Sequence, residues 1–178
     1  MGNFLPSNYK PPVGEGKYYK FEQGSNKFRI LSDSIQGWED WKEEDGQRKP
    51  IRTKEKQAPI SSDQKPKHFW AFVVWDYSDE KIKIMELTQI TIQSAILALY
   101  KSEDWGDPKN YDITITKTGE KMETKYNVIA TPPKEVKKEI AEKYKNTKIN
   151  LDKLFDGGDP FEVDTVVPSS KEFEQIPF

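Results

Sequence analysis

Hydrophobic and polar residues alternate over several short stretches of the chain, as they do in β-strands that bury one face. The clearest stretch, 68–77, has one face that is wholly apolar or aromatic: Phe69, Ala71, Val73, Trp75 and Tyr77. The other face has polar ends around an aromatic middle: His68, Trp70, Phe72, Val74 and Asp76. We expect the first face to lie in the core and the second to form a partly exposed aromatic platform.

The stretch 81–87 is expected to pair with this strand as a hairpin. A turn over 78–81 directs Ile82 and Ile84 to the core and places Lys83 on the aromatic platform. A turn one residue shorter reverses the two faces. The longer turn is favoured because it keeps Asp76 out of the core.

Alternating patterns bounded by turn-forming residues predict further strands at 17–21, 27–31, 34–42, 111–118 and 122–130. A helix is predicted over 89–101, because apolar residues recur there at helical spacing and Thr88 can cap it. A second helix is predicted to begin at Pro132. Residues 44–67 are polar and rich in proline, so we expect a long loop there.

These elements predict a mainly β protein with helices. About five or six strands, with a helix before the last pair and no parallel βαβ spacing, fit a small β-barrel. We expect the five-stranded OB-fold, with a helix inserted between its third and fourth strands and another helix near the C-terminus.

Composition excludes several kinds of site. The chain of 178 residues contains no cysteine and one histidine, His68. Disulfides, thiolate nucleophiles and cysteine-ligated metals are therefore excluded, and a catalytic triad has one candidate base. We expect no enzyme activity, no cofactor and no metal. No export signal, lipidation signal or membrane-spanning run is recognisable, which predicts a cytoplasmic protein.

Charge is divided unevenly along the chain. Residues 156–178 contain six acidic residues and one basic residue, a net charge of −5, so the remaining residues carry +3. Residues 1–16 have no periodicity and are expected to form a flexible arm. We therefore expect a folded domain over 17–155, followed by an acidic, disordered tail that engages a partner or competes for an anionic ligand.

Basic and aromatic residues occur together in the predicted β-domain, a combination that binds single-stranded nucleic acid. The stretch 47–67 has seven basic residues, against Glu55 and Asp63 as its acids. The candidate contact residues are Lys27, Arg29, Trp38, Trp41, Arg48, Lys49, Arg52, Lys54, Trp70, Phe72 and Lys83. Their rings are expected to stack on bases and their cations to contact phosphates.

Other interpretations stay open at this point. Aromatic residues in short strands usually belong to the core, and basic loops are usually solvated. An RNA-binding or protein-interaction OB module is the main alternative. A metal-dependent nuclease comes third, with Asp76 and Glu86 holding the metal and Lys83 stabilising negative charge.

Several stretches resemble a family of bacteriophage single-stranded DNA-binding proteins: GSNKFRILS at 24–32, GWEDW at 37–41, RKPIR at 48–52 and HFWAF at 68–72. The resemblance covers most of residues 17–155. It implies an OB-fold that coats exposed strands during phage DNA replication and recombination. The matching residues are Lys27, Arg29, Trp38, Trp41, Arg48, Lys49, Arg52 and Trp70.

The C-terminal sequence EFEQIPF at 172–178 resembles the acidic tail, ending in Ile-Pro-Phe, of bacterial single-stranded DNA-binding proteins. That resemblance implies recruitment of replication, recombination and repair proteins through Phe173, Glu174, Ile176, Pro177 and Phe178. The side chain of Phe178 can fill an apolar pocket while its terminal carboxylate meets a basic group. Gln175 departs from the bacterial pattern, which has an acidic residue before Ile176.

Overall fold

The computed structural model describes Phe4 and residues 16–161. Within these residues the chain forms a seven-stranded antiparallel sheet and two α-helices. The strands are β1 (Gly24–Ile30), β2 (Ile35–Glu44), β3 (Gln47–Thr53), β4 (Lys67–Asp76), β5 (Lys81–Leu87), β6 (Asp112–Thr118) and β7 (Lys125–Ala130), and the helices are α1 (Ile90–Lys101) and α2 (Lys138–Asn146). The prediction of a mainly β protein with helices is confirmed.

The central strand is β4. Along one edge of β4, β2 pairs with residues 67–71 and β1 pairs with residues 74–76. Along the other edge, β5 pairs with residues 70–76. The residues that link β1 to β2 also bond to β4. The Leu31 amide donates to the Val73 carbonyl (2.8 Å), and the Val73 amide donates to the Ser32 hydroxyl (2.8 Å). β1 and β2 therefore act as one bent strand along β4.

The sheet extends outward from this arrangement and is not closed. β3 pairs with β2, β6 pairs with β1, and β7 pairs with β6. The remaining edge of β5 pairs with residues 17–19, where the Tyr19 amide donates to the Ile84 carbonyl (2.8 Å) and the Ile84 amide donates to the Lys17 carbonyl (2.9 Å).

The prediction of a loop over 44–67 is wrong for its first half, which contains β3. β2 and β3 form a hairpin around Asp45 and Gly46, whose φ angles are 54° and 75°. Two consecutive positive φ angles define a turn that matches the twist of a hairpin and favours the sequence Asp-Gly. This dipeptide is the signal in the sequence that indicates the extra strand.

Both faces of β4 are buried. On one face, Phe72 and Val74 belong to the larger core cluster, to which α1 contributes Ile92. On the other face, Phe69 belongs to a smaller cluster with Leu154. The expected aromatic platform is therefore wrong: Phe72 is 2 % exposed, because α1 packs over that face.

The β4–β5 register confirms that Ile82 and Ile84 share a face with Trp75. The same register puts Lys83 on the face of the larger core, where it is 6 % exposed. Its ammonium group donates to Asp76 (2.8 Å). The prediction that Lys83 lies on an open surface is wrong, because this ion pair lets the charge be buried.

Both helices begin later than predicted. α1 starts at Ile90. α2 starts at Lys138 rather than at Pro132, because the backbone amides of Thr131 and Lys134 donate to carbonyls at and just before the start of β6 and keep this segment extended. No helix in the described part of the chain is long and apolar enough to cross a membrane.

The chain after α2 packs onto the sheet. Residues Leu151–Asp156 form a 3-10 turn, and Phe155 lies 6.0 Å from the ring of Phe69. The ring of Phe161 contacts Tyr18 edge-on at 6.3 Å. The residues predicted to bind partners lie outside the described residues: Phe173, Glu174, Ile176, Pro177 and Phe178.

Candidate nucleic-acid interface

The β2–β3 hairpin divides the predicted contact residues between its two faces. Side chains alternate between the faces along each strand, and paired residues share a face. One face, here called the groove face, carries Trp41, Arg48 and Arg52. The opposite face carries Trp38 and Lys49.

A groove of about 480 Å³ opens beside Trp41 on the groove face. Its lining residues are Glu39, Trp41, Arg48, Gln64, Lys65, Pro66 and Lys67. The Arg48 guanidinium lies 5.2 Å from the centre of the Trp41 ring, within cation–π range. This Trp41 groove therefore combines a half-buried indole with three cations.

Gln64 fixes the positions of Arg48 and Trp41. Its side-chain carbonyl accepts a hydrogen bond from Nη2 of Arg48 (2.7 Å), and its amide nitrogen donates to the Trp41 carbonyl (2.7 Å). The same amide nitrogen donates to the Asp40 carboxylate (2.8 Å). The guanidinium and the backbone at Trp41 are thus held in place before a ligand arrives, which reduces the entropy lost on binding.

The Asp40 carboxylate ties the segment 54–66 to the hairpin. It accepts hydrogen bonds from the backbone amides of Ile60 (2.9 Å) and Trp41 (2.8 Å), in addition to Gln64. The Ile60 amide, supported by the other two donors, lowers the pKa of Asp40. Asp40 therefore remains an anion and keeps its three donors well below neutral pH.

A second cavity, of about 580 Å³, adjoins the Trp41 groove at Glu39 and is here called the Tyr18 cavity. Its lining residues are Tyr18, Tyr19, Lys20, Glu39, Pro50, Arg52, Ile84, Glu86 and Thr88. Arg52 donates to both carboxylate oxygens of Glu86 (3.1 and 2.8 Å) and lies 3.3 Å from Glu39. The predicted role of Arg52 as a direct phosphate contact is therefore weakened, because its charge is already paired.

The two carboxyl groups beneath the Tyr18 cavity differ in protonation. Burial raises the pKa of Glu39 to about 8, and its hydrogen bond with Glu86 adds to the rise. Glu39 is therefore largely protonated at neutral pH, and it donates to the ionised Glu86. The floor of the cavity then carries one anion and one cation, Arg52.

The opposite face of the hairpin carries a separate aromatic group. Trp38 lies 5.0 Å from the His68 ring and 5.1 Å from the ammonium group of Lys56. Trp70 is half-buried and lines a cavity of about 530 Å³ beneath Tyr100 of α1. Trp38, Lys49 and Trp70 are therefore not brought together with Trp41.

Arg29 and Phe72 are wrong as contact residues, as is Lys83. Arg29 is 2 % exposed and donates to the backbone carbonyls of Lys109 (2.9 Å) and Lys134 (2.6 Å). It holds together two segments that are distant in sequence, an arrangement that a strand pattern does not reveal.

Lys27 and Lys54 are exposed but do not line the Trp41 groove. Lys27 lies 4.8 Å from the ring of Tyr77 on the far part of the sheet. Lys54 lies 5.6 Å from the ring of Phe155. Each ammonium group is thus placed over an aromatic ring of the protein itself.

Three residues of the site were missed as candidates: Tyr18, Tyr19 and Lys20. In the sequence Lys17-Tyr18-Tyr19-Lys20 two aromatic residues are flanked by basic residues, and this pattern could have identified the segment as a candidate. Its position beside β3 depends on pairing with β5, which is distant in sequence.

The residues of the nuclease alternative are not assembled. Asp76 and Lys83 bond to each other on the side of the larger core. Glu86 lies on the opposite face of β5 and is bound by Arg52. No cluster of three or more metal-ligating side chains occurs within residues 16–161.

Comparison with known proteins found no match, whether to family models, to curated sequences or to solved structures. Functional inference therefore depends on the chemistry of the site. That chemistry is an indole and three cations at one face of a β-hairpin, with Arg48 in the hairpin and Lys65 and Lys67 just before and at the start of β4.

Proposed function

We propose that this protein binds single-stranded DNA without catalysing a reaction. The observation that supports this most strongly is the Trp41 groove, where a half-buried indole lies among Arg48, Lys65 and Lys67. The indole stacks on a base, and the cations contact the neighbouring phosphates. Stacking and charge contacts are available to every nucleotide, so we expect little sequence preference.

The strand connectivity supports an OB-fold. β1 and β2 together act as a bent first strand, which pairs with β4 and β6, and α1 lies between β5 and β6. We assign the five strands of this fold to β1–β2, β4, β5, β6 and β7, an order that agrees with an OB-fold. The barrel remains open because β5 pairs with residues 17–19 rather than with β7.

On this assignment β3 belongs to the loop between the first and second strands. OB-folds bind oligonucleotides with that loop and with the adjoining sheet face. The Trp41 groove and the Tyr18 cavity both lie along the groove face of the β2–β3 hairpin. The fold and the site thus support the same function.

The resemblance to bacteriophage proteins leads us to propose a role in DNA replication and recombination, in the cytoplasm of the host cell. The protein coats exposed strands, and its acidic tail recruits replication, recombination and repair proteins. This part of the proposal rests on the sequence alone.

The test is tryptophan fluorescence during titration with oligo-dT at several salt concentrations, with duplex DNA and oligo-U as competitors. Stacking contributes about 1 to 3 kcal/mol per base, so Trp41→Ala is expected to weaken binding by roughly 5- to 150-fold. Trp41→Phe keeps an aromatic ring and is expected to retain most of the affinity. Trp105→Phe removes a tryptophan outside the groove and controls for the loss of signal.

Quenching that weakens steeply with salt and is not competed by duplex DNA supports the proposal. The absence of binding to oligo-dT at low salt overturns it. Preferential competition by oligo-U reassigns the ligand to RNA. Equal affinity of Trp41→Ala and wild type removes the groove from the binding site.

A further inference from the structure

We propose that the same single strand continues from the Tyr18 cavity into a third cavity, where Lys81 and Lys143 bind its phosphates. This cavity is here called the Trp75 cavity. The inference rests on the proposed function and extends it by naming a separate site for the DNA backbone.

The Trp75 cavity has a volume of about 470 Å³ and lies where α2 meets β4 and β5. Its lining includes Lys17, Trp75, Glu80, Lys81, Lys143 and Phe161. Lys17 is paired with Asp159 (3.4 Å) and Glu80 is acidic, so Lys81 and Lys143 give the cavity a small excess of positive charge, which favours an anion. The ligand class that fits is a phosphodiester backbone.

Lys81 and Lys143 are available to a ligand. Neither makes a salt bridge to another residue within 16–161, whereas the neighbouring Lys83 is neutralised by Asp76. The Lys143 ammonium lies 5.1 Å from the Trp75 ring, which positions it without cancelling its charge. A phosphate that binds here displaces counterions rather than a protein carboxylate.

Residues 16–20 connect this cavity to the Tyr18 cavity. Tyr18 lines one cavity and Lys17 lines the other, along the edge of β5. The ring of Phe161 contacts Tyr18 at 6.3 Å and lies 5.5 Å from the Lys17 ammonium. A strand that leaves the Tyr18 cavity over these rings therefore enters the Trp75 cavity directly.

The chemistry of the cavity indicates contact with phosphates rather than bases. Trp75 is 6 % exposed, so its ring face is not free to stack on a base. The lysines can still form ion pairs with the backbone, which carries one charge per nucleotide. The strand therefore stacks at Trp41 and is held by charge at its other end.

The test compares wild type with the double variant Lys81→Gln and Lys143→Gln, in which the aliphatic parts of the side chains are retained. Binding is measured by fluorescence anisotropy with labelled oligo-dT of about 4 to about 16 nucleotides, the range of OB-fold site sizes. The matched control is Lys101→Gln with Lys138→Gln, two exposed lysines that line none of the three cavities. Urea unfolding checks that each variant is folded.

We expect the double variant to bind the shortest oligonucleotide like wild type and the longest one roughly tenfold more weakly. The slope of log affinity against log salt for the longest one should fall by about 1.4, since each phosphate contact on a single strand contributes about 0.7. Equal affinity of variant and wild type at every length overturns the inference. So does an equal loss at every length, which indicates a general effect of charge. If wild type binds no oligonucleotide, the proposed function itself fails.

Discussion

Replacing Glu39 by Gln tests the carboxyl pair beneath the Tyr18 cavity. Burial raises the pKa of Glu39 to about 8, from 4.5 in an exposed carboxyl group, and the bond with Glu86 adds to the rise. Gln has the shape of the protonated carboxyl group and can also donate to Glu86, but it does not titrate. The substitution therefore removes the titration and preserves the contacts.

The sign of the effect follows from the raised pKa. Between about pH 4.5 and about pH 8 the folded protein holds a proton on Glu39 that the unfolded chain has lost. The stabilisation from Glu39 is complete below this window and is lost as pH rises through it. The full effect is at most about 1.4 kcal/mol per pH unit. Because the cavity is open to water, we expect about 2 kcal/mol in total.

The assay is urea unfolding of wild type and Glu39→Gln at about pH 5.5, about pH 7 and about pH 8.5. Wild type should lose stability relative to Glu39→Gln as pH rises through this window. Glu103→Gln, at an exposed glutamate, should keep the wild-type profile. If the stability of wild type and of Glu39→Gln changed with pH in the same way, the assignment of a proton to Glu39 would be refuted.

Two further substitutions test the packing around the β2–β3 hairpin. Gly37→Ala should destabilise the protein by about 1 to 3 kcal/mol in urea unfolding, because a Cβ atom there would lie 2.5 Å from the Thr53 carbonyl oxygen. Gly158→Ala, with its nearest contact at 3.6 Å, should change stability little, and equal effects of the two would contradict this packing argument. Asp40→Asn should increase trypsin cleavage within 54–66, because an amide offers a single acceptor to the three donors that Asp40 now holds. An unchanged rate of cleavage would exclude Asp40 as the anchor of that segment.

The sequence pattern predicted most of the strands but not which elements pack against the faces of each strand. Alternation along 68–77 identified β4 and the correct relation of its faces to Ile82 and Ile84. It could not indicate that α1 packs over Phe72, since that contact joins elements separated in the chain. For the same reason, a strand that looks half-exposed in sequence is buried on both faces.

The hairpin β2–β3 illustrates a different limit. Proline and low hydrophobicity over 44–67 favoured a loop, but strand pairing requires backbone hydrogen bonds rather than apolar side chains. Asp45 and Gly46 supply the turn, and β2 supplies an edge to which β3 can pair. A strand that need not be buried can remain polar, and β3 therefore contributes Arg48 to the groove, whereas Lys65 and Lys67 lie just before and at the start of β4.

Pairing decides which basic residues are available to bind an anion. Arg29 on β1 and Arg52 on β3 are bound by groups of other segments, so their charges are satisfied by carbonyl or carboxylate groups. Arg48, on the same strand as Arg52, is hydrogen-bonded to a neutral side chain, that of Gln64, which orients the guanidinium without forming an ion pair. A sequence scan treats these three arginines alike. The structure separates them by the charge of their partners, and that criterion selects the Trp41 groove as the site at which a phosphate gains most from binding.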